Sequence, residues 1–137
     1  MSWEEERANR QKLSREKGTI IKDWGGKISV ALIYPNLYSA GMSSLGFQTI
    51  YGFLNKFPQI VCERVFYSEQ NHLQLVSLES SRPLMDFSIL AFSLSYELDY
   101  INAIEILRKA GIPLLSKDRD EKYPLVIAGG PCVVSNP

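Results

Sequence analysis

The sequence predicts an α/β fold, a flavodoxin-like (Rossmann-like) parallel sheet with helices on both faces. Three observations carry this. Short apolar runs alternate with stretches of helical periodicity. The clearest run, Ile28–Tyr34, is nearly continuous in apolar residues, as expected of a parallel strand covered on both sides. Three run ends carry unusual loops, "YPNLYSAGMSS", "SLSYELDY" and "AGGPCVVSNP", at the carboxyl ends where such sheets hold ligands.

The elements follow in order. Residues 1–22 form a charged N-terminal arm and 23–137 the α/β domain. "MSWEEERANRQKLSREKG" is poor in aliphatic residues and suits a solvated helix or a flexible arm, with only Trp3 and Leu13 to bury. Gly25-Gly26 breaks the chain before the first strand, Ile28–Tyr34. A loop, Pro35–Met42, leads to a helix over about Ser43–Lys56, striped by Leu45, Ile50, Phe53 and Leu54, with Ser43 or Ser44 as N-cap. The second strand is about Ile60–Phe66, and residues 67–86 hold a short helix or turn. The third strand is Ser88–Leu94. A second helix over about Leu98–Ala110 ends at Gly111 in the C′ position. "IPLL" at 112–115 reads as a short edge strand or a covering turn, and the fourth strand is Pro124–Ala128. A doubly wound domain normally continues past such a strand, so the chain is expected to be a fragment of a longer protein. The expected order places strand one centrally, between strands two and three, with strand four outside strand three.

Bulk composition narrows the function classes. The 137 residues are one domain in size, with 45% hydrophobic and 22% charged residues. Lys+Arg 15 balance Asp+Glu 15, which indicates no nucleic-acid or anionic-membrane partner. No apolar run approaches the roughly 20 residues of a membrane span, and the N-terminus lacks a signal-peptide core; a cytoplasmic location is expected. Cys62 and Cys132 are far apart and form no CxxC pair, so no cysteine metal set is expected. Cys62 reads as a small core residue.

The candidate site residues each have a plainer reading. Gly41 and Gly46 either admit a ligand near a helix N-terminus or serve loop and packing. G-x-x-x-x-G here lacks the Lys-Ser/Thr of a P-loop. Ser93 and Ser95 offer hydroxyls to a ligand or to a helix cap. Glu97 and Asp99 suit the dipole of the second helix, with a carboxylate pair as the alternative. Gly129-Gly130 either allows close approach of a ligand or makes a tight turn. His72, the only histidine, sits in a polar stretch and reads as a surface residue, and no nucleophilic triad assembles around it.

Taken together, "VALIYPNLYSAGMSSLGFQTIYGFLN", "CERVF", "SLESSRPLMDFSILAFSLSYELDYINAIEILRKAGIPLL" and "PLVIAGGPCVVSNP" resemble the N-terminal region of a family of large radical-SAM proteins. Those proteins begin with a cobalamin (B12)-binding-like domain and continue into a radical-SAM barrel. The resemblance covers about Asp23–Pro137. It implies a B12-binding type of fold with a cofactor site at Tyr38, Gly41, Met42, Ser93, Ser95, Gly129 and Gly130. Ser93-Leu94-Ser95 stands at the family's S-x-L position and Gly129-Gly130 at its Gly-Gly. The D-x-H-x-x-G loop of cobalamin domains is replaced by "NLYSAGMSSLG", which has no histidine. Any cobalamin is therefore expected to lack a histidine ligand, its lower face meeting apolar groups or water near Met42 and Tyr38. The resemblance assigns the 4Fe-4S cluster and S-adenosylmethionine to a C-terminal radical-SAM domain of the same protein, the expected partner. The fragment is expected to have no catalytic residue and no metal ligand of its own. A corrinoid-free scaffold that keeps the fold is the alternative. A flavodoxin-like enzyme using Glu97, Asp99 or Tyr38 is a third reading.

Overall fold

The computed structural model describes residues 3–67 and 75–137; His72 and its neighbours lie outside the described residues. The elements are α1 (Trp3–Arg15), β1 (Ile28–Tyr34), α2 (Tyr38–Met42), α3 (Leu45–Asn55), β2 (Ile60–Phe66), β3 (Ile89–Ser93), α4 (Asp99–Lys109), β4 (Leu125–Gly129) and α5 (Pro131–Ser135). The four strands form one parallel sheet in the order β2-β1-β3-β4. This is the flavodoxin-like order expected from the alternation.

Register divides the side chains between two faces. Val30, Leu32 and Tyr34 lie beside Cys62, Arg64 and Phe66 of β2, and together they meet Phe47 and Tyr51 of α3. Ala31 and Ile33 lie on the opposite face, where Leu84, Phe87, Leu90, Phe92, Ile106 and Cys132 build the larger core. Successive strand residues alternate between faces, and β1 is buried from Ser29 to Tyr34 because both faces are covered.

Several local expectations are refined. Ser44 is the N-cap of α3, its hydroxyl accepting from the Phe47 N–H at 3.4 Å. Gly111 follows the C-cap of α4 with φ +73°, the left-handed conformation that suits glycine. The loop after β1 contains a one-turn helix, α2, too short to leave a periodic signature. "IPLL" contains no strand; it is a turn that tucks Ile112 into the core.

The arm is a formed helix rather than a loose tail. α1 has Glu4, Glu5 and Glu6 in its first turn and Lys12 and Arg15 in its last, both favourable to the helix dipole. No residue of α1 is buried, as its composition demanded. Its own contacts with the domain are light, Asn9 donating to the Ser81 hydroxyl at 3.5 Å and Lys12 lying 5.0 Å from the Tyr38 ring centroid, and the firmer attachment comes from the residues that follow it. Glu16 reaches Arg64, and the Ile20 N–H donates to the Tyr51 hydroxyl at 2.9 Å. The Lys22 ammonium donates to the carbonyls of Asn55, Phe57 and Ile60 at 2.6, 3.0 and 2.7 Å.

Candidate functional site

The carboxyl ends of β1, β3 and β4 form the rim where the candidate residues collect. Two asparagines brace this rim. The Asn36 amide donates to Asp99 Oδ1 at 3.3 Å, and the Asn102 amide to the Pro35 carbonyl at 2.9 Å. Asp99, buried at the start of α4, also accepts the Tyr96 N–H at 3.1 Å. Its carboxylate is consumed in holding loop to helix, which favours the capping role over a catalytic pair with exposed Glu97.

The seven candidate residues fall into two groups. Tyr38, Gly41 and Met42 turn toward β2 and the arm. The Tyr38 hydroxyl donates to Glu16, and its ring meets Phe66 edge-on with centroids 5.2 Å apart. Burial and the neighbouring Glu16 carboxylate push the Tyr38 hydroxyl up to about 12. Met42 sulfur accepts from Gln48 at 3.0 Å and from Arg64 Nη1 at 3.4 Å. Gly41 is a packing glycine, since a Cβ there would stand 2.3 Å from the Phe66 ring.

Ser93, Ser95, Gly129 and Gly130 form the other group, at the ends of β3 and β4. Ser93 pairs in register with Gly129, so both point to the α3 face. Among the described residues no hydrogen bond engages the hydroxyl of either serine. A Cβ at Gly129 would meet no atom within 4 Å, and the same holds at Gly46, at the start of α3. Gly130 differs: its φ is +114°, and a Cβ would fall 2.5 Å from the Leu94 carbonyl oxygen. The two adjacent glycines thus have separate causes, an open approach at Gly129 and a tight turn at Gly130. The Ser93–Gly129 end leaves open space above the Gly129 backbone, beside the Ser93 hydroxyl. The β1 loop has no free donor for a metal among Tyr38, Gly41 and Met42.

A buried charge cluster beside this rim was not singled out from the sequence. Arg64, in the middle of β2, binds Glu16 at 2.7 Å and Glu79 at 2.7 Å, with Tyr51 stacked 4.3 Å from its guanidinium carbon. Burial opposes its charge, but the two carboxylates more than offset that and keep it protonated. Glu63, on the opposite face, accepts from Trp24 Nε1 at 2.9 Å, Ser77 at 2.7 Å and Ser80 at 2.5 Å. The signal was available: adjacent charges inside an apolar strand must be paired when buried.

Comparison with known proteins identifies the lineage. The family described as "Radical SAM proteins, N-terminal" matches residues 46–137. The chain belongs to this radical SAM N-terminal family. An uncharacterised protein of Methanocaldococcus jannaschii, MJ0966, is 31% identical over 110 residues, which cover 79% of this chain and 20% of that protein. The chain therefore spans about a fifth of that relative's length. No solved structure gives a significant match. Within the family match lie all of α3 but its first residue, Leu45, all of β2, β3 and β4, and both Ser93 and Gly129. Among the described residues of this family member, no three His, Cys, Asp or Glu side chains converge as a metal site. No helix there is long and apolar enough to cross a membrane.

Proposed function

We propose that this radical SAM N-terminal domain binds a corrinoid at the Ser93–Gly129 end of its sheet and presents it to the radical-SAM portion of a longer protein. The observation that supports this best is the open approach at Gly129, in register with an unengaged Ser93 hydroxyl. A bound corrinoid supplies a cobalt centre able to exchange axial ligands and electrons. This chain's own residues bind and orient: Ser93 and Ser95 donate hydrogen bonds, the Gly129 backbone allows close approach, and Ala91 offers apolar surface beneath Ser93 on the same face. Tyr38 and Met42 supply no metal ligand, because Glu16, Gln48 and Arg64 already engage them. The iron–sulfur cluster and S-adenosylmethionine belong, in this reading, to the portion of the longer protein outside this chain.

One observation favours a corrinoid-free scaffold instead. Gly41, Tyr38 and Met42 are all explained by internal packing. One experiment separates the two readings. The protein is mixed with hydroxocobalamin, desalted, and its visible spectrum recorded, together with that of Gly129→Val. Retained corrinoid absorbance that Gly129→Val abolishes without loss of fold supports the corrinoid reading. No retained absorbance in the parent chain favours the scaffold.

A further inference from the structure

The two edges of the sheet are finished differently. At β2 the outward backbone groups are occupied. Asn55 pairs with both the N–H and the C=O of Cys62 at 3.0 Å, Glu79 accepts the Arg64 N–H at 2.8 Å, and the Leu78 N–H donates to the Arg64 carbonyl at 2.8 Å. Such plugging protects an edge strand from stray pairing. At β4, among the described residues, no strand pairs with the outer edge.

The α3 face shows the same asymmetry. α3 covers β1 and β2, but beyond it Leu125 is 61% and Ile127 48% exposed. Parallel strands are normally covered on both faces. α3 itself, "LGFQTIYGFLN", has no charged residue, although Leu45 is 81% and Phe53 56% exposed. A solvated helix face normally carries charge. Gln48 marks the flank of α3 that faces Met42 and Arg64. The helical period therefore turns the other flank, with Ile50 and Phe53, toward β3 and β4. The result is an apolar trough walled by that flank and floored by Ile89, Leu125 and Ile127. Helices pack about 8–10 Å apart, so one helix beside α3 fills it.

We propose that this trough seats one amphipathic helix of the polypeptide that follows this domain in radical SAM proteins. Two facts name that occupant. The family is the N-terminal part of larger proteins, and the M. jannaschii protein has about four-fifths of its length outside the match, which covers 20% of it. Topology adds which helix it is. α5, directly after β4, packs on the opposite face, where Cys132 and Val133 join the larger core. The trough helix therefore comes from farther along, returning over the sheet. The inference rests on packing and family, and does not need a corrinoid.

The test is hydroxyl-radical footprinting, without corrinoid, of this chain and of the whole M. jannaschii protein. Phe53, Leu125 and Ile127 are expected to label in this chain at rates typical of exposed side chains of their type. The aligned side chains of the whole protein are expected to label at least fivefold less at equal radical dose. Equal labelling in the two proteins overturns the proposal. Sedimentation of this chain and of Ile127→Glu supplies the second arm. A dimer that Ile127→Glu disperses assigns the trough to a second copy and also overturns it, whereas a monomer with the expected footprint supports it.

Discussion

At the residue scale, Gly129 and Gly130 are neighbours with opposite tolerances. Gly130→Ala places a Cβ against the Leu94 carbonyl at a φ of +114°, so a stability loss of about 1–3 kcal/mol is expected. Gly129→Ala meets open space, and its thermal melt should stay within about 0.5 kcal/mol of the parent. The Arg64 cluster yields a pH prediction. Burial tends to raise the Glu16 pKa, but hydrogen bonds from Tyr38, Arg64 and Thr19 outweigh it and hold the carboxyl below its ordinary value near 4.5. A depressed folded-state pKa adds stability that is fully present above the unfolded value and lost as pH falls through the folded one. Parent and Glu16→Gln should therefore differ in melting temperature at neutral pH. The gap should shrink as pH drops below about 4.5, and a gap that persists or widens in acid contradicts this account.

At the element scale, the arm divides sharply at Arg15. Deleting residues 1–15 removes a helix with no buried residue and should cost within about 1 kcal/mol, as for exposed polar contacts. Deleting residues 1–22 also removes Glu16 and Lys22, leaving a buried arginine with one carboxylate fewer, and should cost about 3–5 kcal/mol. Chemical denaturation of the two truncations compares the losses directly. The same boundary shows what the sequence could and could not disclose. Charge and the lack of aliphatics correctly marked α1 as unable to form a core. The attachment by Glu16, Ile20 and Lys22 depends on side chains and backbone carbonyls 31 to 48 residues away, which no local pattern reports. The strands were legible because parallel strands are mostly apolar, β2 keeping the pattern around Glu63 and Arg64. α2 was not, because five residues show no helical period.

At the scale of the whole molecule, the two cysteines report different openings. Burial pushes the Cys62 thiol up to about 12, and Cys62 lies fully buried on edge strand β2, under α3. Burial, with Glu97 and Asp99 nearby, raises the Cys132 thiol as well, but Cys132 sits on the five-residue α5. A thiol reagent should modify Cys132 at least tenfold faster through local fraying, while Cys62 waits for global unfolding. Mass spectrometry of partly labelled protein orders the two. The candidate site was legible in the same uneven way. The Ser93–Gly129 end stood out through small residues at strand ends, whereas the exposure of Leu125 and Ile127 was hidden, because an apolar strand reads the same whether its face is covered or exposed. Glu63 and Arg64 carry a last consequence. Being adjacent in β2, they point to opposite faces, and each face holds partners for only one of them. A slip of one residue would turn a glutamate toward Glu16 and Glu79, and an arginine toward the hydroxyls of Ser77 and Ser80 and the indole of Trp24. The pair thus works as a reading-frame key: β2 joins the folding chain with each charge on its own face, and a slip of one residue strands both charges.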